Sequence, residues 1–117
     1  MSPDPSAQPA ASDFVVVFVT APDPDTAASL ARALVGEKLA ACVNIVPGLR
    51  SIYTWQGNLC DEQEVLCVVK TLRELFPALC ARVTSLHPYQ VPEIIALPIV
   101  DGHAPYLAWL RGETRAP

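Results

Sequence analysis

The sequence predicts an α/β fold of the α+β kind, a βαββαβ plait with a long central hairpin and a C-terminal helix, and three observations carry that prediction. Phe14-Val-Val-Val-Phe-Val19 is a β-branched and aromatic run without polar alternation. Two stripes of apolar residues, one around Leu30 and one around Leu79, recur at helical spacing. Between them lie two long strand-forming segments joined at Gln56-Gly57-Asn58, a hairpin turn signal.

The first run reads as a central strand covered on both faces, ending at Thr20. Asp23-Pro24 then supplies an N-cap followed by proline at the first helical position, where a missing N–H costs nothing. Ala27, Leu30, Ala31, Leu34 and Val35 form one apolar stripe and predict a helix from about Asp23 to Lys38. From Ala41 to Trp55 the residues are strand formers, and Pro47-Gly48 among them reads as a bulge or bend rather than a stop. Beyond it Leu49, Ser51, Tyr53 and Trp55 share one face. The return strand is expected from about Leu59 to Thr71.

Leu72, Phe76, Leu79, Val83 and Leu86 repeat at steps of four and three, predicting a second helix over roughly Arg73 to Leu86. Thr71 and Glu74 resemble a capping box, but Pro77 would then fall past the first turn, which moves the expected start a residue or two later. Val91 to Val100 is a further apolar run with Pro92 and Pro98 at its ends, as expected of a strand beside an edge. A short helix from about His103 to Arg111 follows, with Pro105 in its first turn and Gly112 just past its end. This order is that of a ferredoxin-like plait, a four-stranded antiparallel sheet with helices on one face.

Residues 1–13, rich in Pro, Ser, Ala and Gln, are expected to be a disordered tail, residues 14–112 the single domain, and 113–117 a C-terminal tail. About a hundred folded residues bury roughly two thirds of their unfolded surface, enough for a core with neither disulfide nor structural metal. A net charge of −4 with only eight scattered basic residues argues against a nucleic-acid binder. The longest apolar runs fall short of the roughly 20 residues needed to cross a bilayer, so no membrane association is expected. With no basic and apolar leader at the N-terminus, the expected compartment is the cytoplasm. Cys42, Cys60, Cys67 and Cys80 show no C-x-x-C spacing and are expected as free thiols, Cys42 and Cys67 as small buried hydrophobes and Cys60 as the accessible one.

Each arm of the hairpin spans about 13 residues, roughly 40 Å, against a diameter near 35 Å for a compact domain of this size. Its outer part carries Leu49, Ile52, Tyr53, Trp55 and Leu59, and a ribbon exposing such residues invites pairing with copies of itself. Oligomerisation follows from this argument, and a closed ring satisfies every edge.

Thr20-Ala21-Pro22, Glu37-Lys38-Leu39-Ala40-Ala41-Cys42-Val43-Asn44, Tyr53-Thr54-Trp55-Gln56-Gly57, Glu64, Val69-Lys70-Thr71, His87-Pro88-Tyr89-Gln90-Val91-Pro92-Glu93 and Tyr106-Leu107-Ala108-Trp109 together resemble the CutA family, in order, over about Phe14 to Leu110. The resemblance implies a homotrimer of ferredoxin-like subunits, architecturally similar to PII signalling proteins, with a name derived from tolerance of copper and other divalent cations. Where copper ligation is described in the family, the resemblance places a Cys before Thr-Ala-Pro, a Cys in the second helix and a His before His-Pro-Tyr-Gln. This chain has Val19, Arg82 and Leu86 there, none a soft ligand.

His87 remains as a metal-ligand candidate, with capping of the second helix as its competing role. His103 is expected to be solvated. Tyr53, Trp55, Glu64, Lys70, Tyr89, Glu93, Tyr106 and Trp109 form a second set, which the family pattern places near a subunit boundary. Such a set suits a ligand cleft or, equally, interface packing, with Lys70 paired to Glu64 or Glu93. No phosphate-binding glycine loop, nucleophile elbow or zinc-protease helix is present.

The expectation is therefore a non-enzymatic trimer of the metal-response type, holding copper or another divalent cation weakly and needing none to fold. The alternative is a PII-like signalling module whose intersubunit cleft binds a small metabolite. A cleft enzyme using Lys70, Glu93 and a nearby Tyr is the third reading. The sequence names no protein or small-molecule partner.

Overall fold

The computed structural model describes residues 13–115. The elements are β1 (Phe14–Ala21), α1 (Pro24–Gly36), β2 (Cys42–Trp55), β3 (Asn58–Leu72), a single 3₁₀ turn (Arg73–Leu75) leading into α2 (Phe76–Leu86), β4 (Ile94–Pro98) and α3 (Ala104–Gly112). The strands form one antiparallel sheet in the order β2-β3-β1-β4, the topology expected of the ferredoxin-like plait. Apart from Asp13, the N-terminal tail expected over residues 1–13 lies outside the described residues.

Local chemistry explains the boundaries. Asp23 caps α1, its Oδ1 accepting the Thr26 N–H at 2.7 Å, with Pro24 opening the first turn. The helix closes in a Schellman arrangement: Leu39 N–H donates to Leu34 O at 2.9 Å and Lys38 N–H to Val35 O at 3.2 Å, with Lys38 at φ 65. Gln56 (φ 50) and Gly57 (φ 80) make the two-residue hairpin turn between the paired Trp55 and Asn58.

The second helix departs from expectation in the way Pro77 demands. Its first turn is 3₁₀, the α-helix proper begins at Phe76, and Pro77 then sits in the first α turn where no amide is needed. The Thr71–Glu74 capping box does not form. Thr71 is buried on β3 and its Oγ1 donates instead to Leu39 O at 2.6 Å, tying the strand to the segment after α1. β4 is also shorter than the predicted 91–100: Pro92 and Pro98 lack amides, the ladder with β1 runs from Val15 to Val19, and beyond it Ile99 N–H makes a single bond to Phe14 O at 3.0 Å.

Side chains alternate across the sheet and divide it into two unlike faces. Val15, Val17 and Val19 of β1 and Val65, Cys67 and Val69 of β3 pack under α1 and α2 with Leu30, Leu34, Leu79 and Val83. The opposite face carries Phe14, Val16 and Phe18 of β1 and Leu66, Val68 and Leu72 of β3. α3 covers only its Phe14 end, through Leu110 against Phe14 and Leu72. On that face Ile95 and Leu97 of β4 remain 51 % and 44 % exposed. Cys42, expected to be buried, lies there too and is half-buried, because it pairs with Lys70 on the open face.

The hairpin projects beyond the core. The molecule measures 53 × 25 × 25 Å with a radius of gyration of 15.7 Å, against about 13 Å for a compact domain of 100 residues. At the other end, Thr114 is buried and Arg115 N–H donates to Lys38 O at 2.9 Å, so these residues of the expected C-terminal tail lie against the domain.

Candidate functional site

The β2 bulge aims the hairpin side chains. Pro47 and Gly48 stand opposite the single residue Val65, between the pairs Val46↔Leu66 and Leu49↔Glu64, with Gly48 at φ 82. The extra residue shifts the alternation by one. Cys42, Asn44 and Val46 face the open side before the bulge, and Leu49, Ser51, Tyr53 and Trp55 do so after it. Tyr53 and Trp55 thereby join Glu62 and Glu64 of β3 on one face. The segment between α2 and β4 lies beside them, forming a half-open cavity of about 670 Å³ lined by Tyr53, Trp55, Glu62, Glu64, Tyr89 and Glu93, among others.

Two tyrosine–carboxylate pairs organise the walls. Tyr89 Oη donates to Glu64 Oε2 at 2.8 Å, and Tyr53 Oη donates to Glu62 Oε2 at 3.1 Å. Glu64 is only 6 % exposed. Desolvation, then the hydrogen bond to Glu64, raises the Tyr89 phenol well above its usual value. The Tyr53 phenol is pushed up to about 12 by the same causes, with Glu62 as its partner. Sequence reasoning missed Glu62, although its place two residues before Glu64 on one strand face was the available signal.

The structure divides the predicted set in two. Tyr53, Trp55, Glu64, Tyr89 and Glu93 meet at the cavity, but Lys70, Tyr106 and Trp109 do not. Lys70 lies six residues along β3 from Glu64, about 20 Å at the strand rise, opposite Cys42 and Val16. The expected ion pair of Lys70 with Glu64 or Glu93 is therefore not made within one chain. The ion pairs among the described residues are instead Lys38–Glu113, Arg50–Asp61, Arg82–Glu37 and Arg111–Asp13. At the Lys70 end Tyr106 and Trp109 stack with ring centroids 5.6 Å apart. Desolvation, then Cys42, raises the Tyr106 phenol.

His87 is at the C-cap of α2 and 8 % exposed. Its Nε2 donates to Thr20 O at 2.7 Å, which requires the proton there, while Nδ1 accepts the Tyr89 N–H at 3.1 Å. Both ring nitrogens are thus engaged in joining β1 to the segment that lines the cavity, and a metal would have to break one of these bonds. Among the described residues, no three His, Cys, Asp or Glu side chains converge on a point where an ion would sit. At the three copper positions implied by the resemblance, Val19 is in the core, Arg82 is paired with Glu37 and Leu86 is an exposed aliphatic. One subunit does not fit a divalent metal centre. His103 is exposed at the start of α3, as expected.

Comparison with known proteins adds a consistent result. A sequence model of the family described as CutA1 divalent ion tolerance protein matches residues 15–113. The chain is 58 % identical over 99 residues to the divalent-cation tolerance protein CutA of Thermus thermophilus, covering 85 % of this chain and 96 % of that protein. It is 48 % identical over 99 residues to the human protein CutA, covering 85 % of this chain but 55 % of that one. It thus spans nearly all of the bacterial relative and little more than half of the human one. Among solved structures, a divalent cation tolerance protein from Thermus thermophilus superposes with a TM-score of 0.85 at 56 % identity, covering 87 % of this chain and 99 % of that one. CutA1 from Oryza sativa superposes with a TM-score of 0.86 at 46 % identity, covering 89 % and 95 %.

Proposed function

The chain belongs to the CutA1 divalent ion tolerance family and, as a member of it, is a non-enzymatic protein; on that premise we propose that it serves the response to divalent metal as a homotrimer in the cytoplasm, meeting copper or another divalent cation only weakly. The observation that carries the assembly is the uncovered sheet face, with Ile95 and Leu97 open on β4 and a hairpin reaching past the core. A monomer rarely leaves so much contiguous apolar surface in water. The two halves of the family's residue set lie toward opposite ends of the sheet, Tyr106 and Trp109 on α3 beside it, which favours a head-to-tail contact, and such contacts form a ring where the rotation between copies closes. The number three comes from the family. Four free thiols suit a reducing compartment.

Sedimentation at micromolar concentration tests the assembly: a particle of three chains is expected, and a stable 12.6 kDa species overturns it. The metal reading is tested by calorimetric titration of Cu(II) and Zn(II). Weak heats that persist in His87→Ala are expected, since the imidazole is already engaged, and the absence of any heat from the wild type removes the metal contact.

A second reading is favoured by the cavity itself, whose volume of about 670 Å³ falls within the roughly 300–1,000 Å³ of small-molecule sites. In this reading the cleft holds a metabolite, as in a PII-like signalling module. Native mass spectrometry of protein purified without added ligand is expected to show a retained mass. A bare assembly in repeated preparations counts against it.

A further inference from the structure

The cavity is unbalanced in charge. Glu62, Glu64 and Glu93 line it, and among the described residues no lysine, arginine or histidine does. Glu64 is 6 % exposed, its hydrogen bond among the described residues comes from a neutral phenol at Oε2, and its Oε1, without a partner among the described residues, keeps solvent contact. A buried carboxylate ordinarily has a counter-charge, and here none is supplied by the described residues of the same chain. Glu62 is held in the same way, by the Tyr53 hydroxyl. The rings of Trp55, Tyr53 and Tyr89 add π faces, which attract cations.

These features do not describe a metal centre. The carboxylates line the wall without converging on one point, and the space is far larger than a bare ion needs. A charge distributed over a long, partly aromatic wall fits a cation that is itself long and partly apolar. We propose that this cavity binds an organic cation, a primary ammonium or guanidinium on an aliphatic stem, with the charged head at Glu64 and Glu62 and the methylenes along Trp55 and Tyr89. This rests on the second reading above and names the chemistry of its ligand. Two sources carry that chemistry: a free small amine, or the Lys70 side chain of a neighbouring copy. Lys70 is half-buried at the far end of the same strand, and no ion pair among the described residues involves it.

The test is a calorimetric titration of the full chain, in its native assembly, with 1,4-diaminobutane and with the uncharged 1,4-butanediol. The diamine is expected to saturate at least tenfold more tightly than the diol, with that preference weakened at high salt and lost in Glu64→Gln. Glu62→Gln, at an exposed position, keeps the test valid if the buried substitution unfolds the protein. Lys70→Met separates the sources. Diamine binding to the wild type identifies a free amine as the ligand, whereas binding that emerges only in Lys70→Met identifies the neighbour's lysine as the resident cation. Failure of both proteins to prefer diamine over diol overturns the proposal. A neutral or anionic metabolite found in native mass spectra alongside that failure overturns this inference while leaving the cavity a binding site.

Discussion

Glu64 depends on one phenol. Its Oε2 accepts from Tyr89 at 2.8 Å in a setting 6 % open to solvent, and removing that donor leaves a buried carboxylate unsatisfied. Tyr89→Phe is therefore expected to cost about 1–3 kcal/mol, read from denaturation midpoints at fixed protein concentration. The same contacts set an alkaline limit. Tyr89 and Tyr53 both have folded pKa values above the usual phenol value of 10, so folding favours their neutral forms. That stabilisation is complete below about pH 10, the unfolded value, and is lost as pH rises through the folded values. Tyrosinate absorbance is expected to show all three phenols, Tyr106 included, titrating above pH 10 in the native protein, and Tm is expected to fall across that window. If all three tyrosines titrate together near pH 10 without unfolding, the pairing is refuted. The carboxylates and aromatics of this site were legible one by one in the sequence. Their partners were not, because Tyr89 meets Glu64 across 25 positions of chain.

Among the elements, the bulge at Pro47-Gly48 has the largest effect for its size. By placing two residues opposite Val65 it turns Tyr53 and Trp55 to the face of Glu62 and Glu64. Gly48 at φ 82 sits where an L side chain is disfavoured, although nothing lies within 4 Å of an added Cβ. Gly48→Ala is therefore expected to cost about 1–2 kcal/mol through backbone conformation alone, measured by denaturant unfolding. Pro77 shows the complementary lesson in α2: a proline that looked misplaced in a 73–86 helix is accommodated once the first turn tightens to 3₁₀.

Across the whole molecule, the decisive feature is a sheet with one face sealed by α1 and α2 and the other largely bare. A charge placed on the bare face changes assembly more than the fold of one subunit. Leu97→Asp, at a position 44 % exposed in the single chain, is expected to shift the sedimenting species toward a 12.6 kDa monomer while its far-ultraviolet circular dichroism stays native. An unchanged assembly shows that this face is not the contact. The four ion pairs among the described residues join side chains that are 39 to 72 % exposed and contribute little, about 0–1 kcal/mol each. Burial of the valine-rich strands under two helices holds the subunit together.

The order of elements, the hairpin, the bulge and the family were all readable from the residues in line, because periodicity, turn chemistry and contiguous motifs are local properties of the chain. Which side chains share a site was settled only by folding. It gathered Tyr53, Trp55, Glu62, Glu64, Tyr89 and Glu93 round one cavity, set Lys70 about 20 Å away, and engaged both nitrogens of His87 in bridging β1 to the segment lining that cavity. The physical reason is parity and register. One inserted residue at a bulge, or six steps along a strand, reassigns a side chain to another face or another end of the sheet, and that assignment depends on pairing with segments distant in the chain.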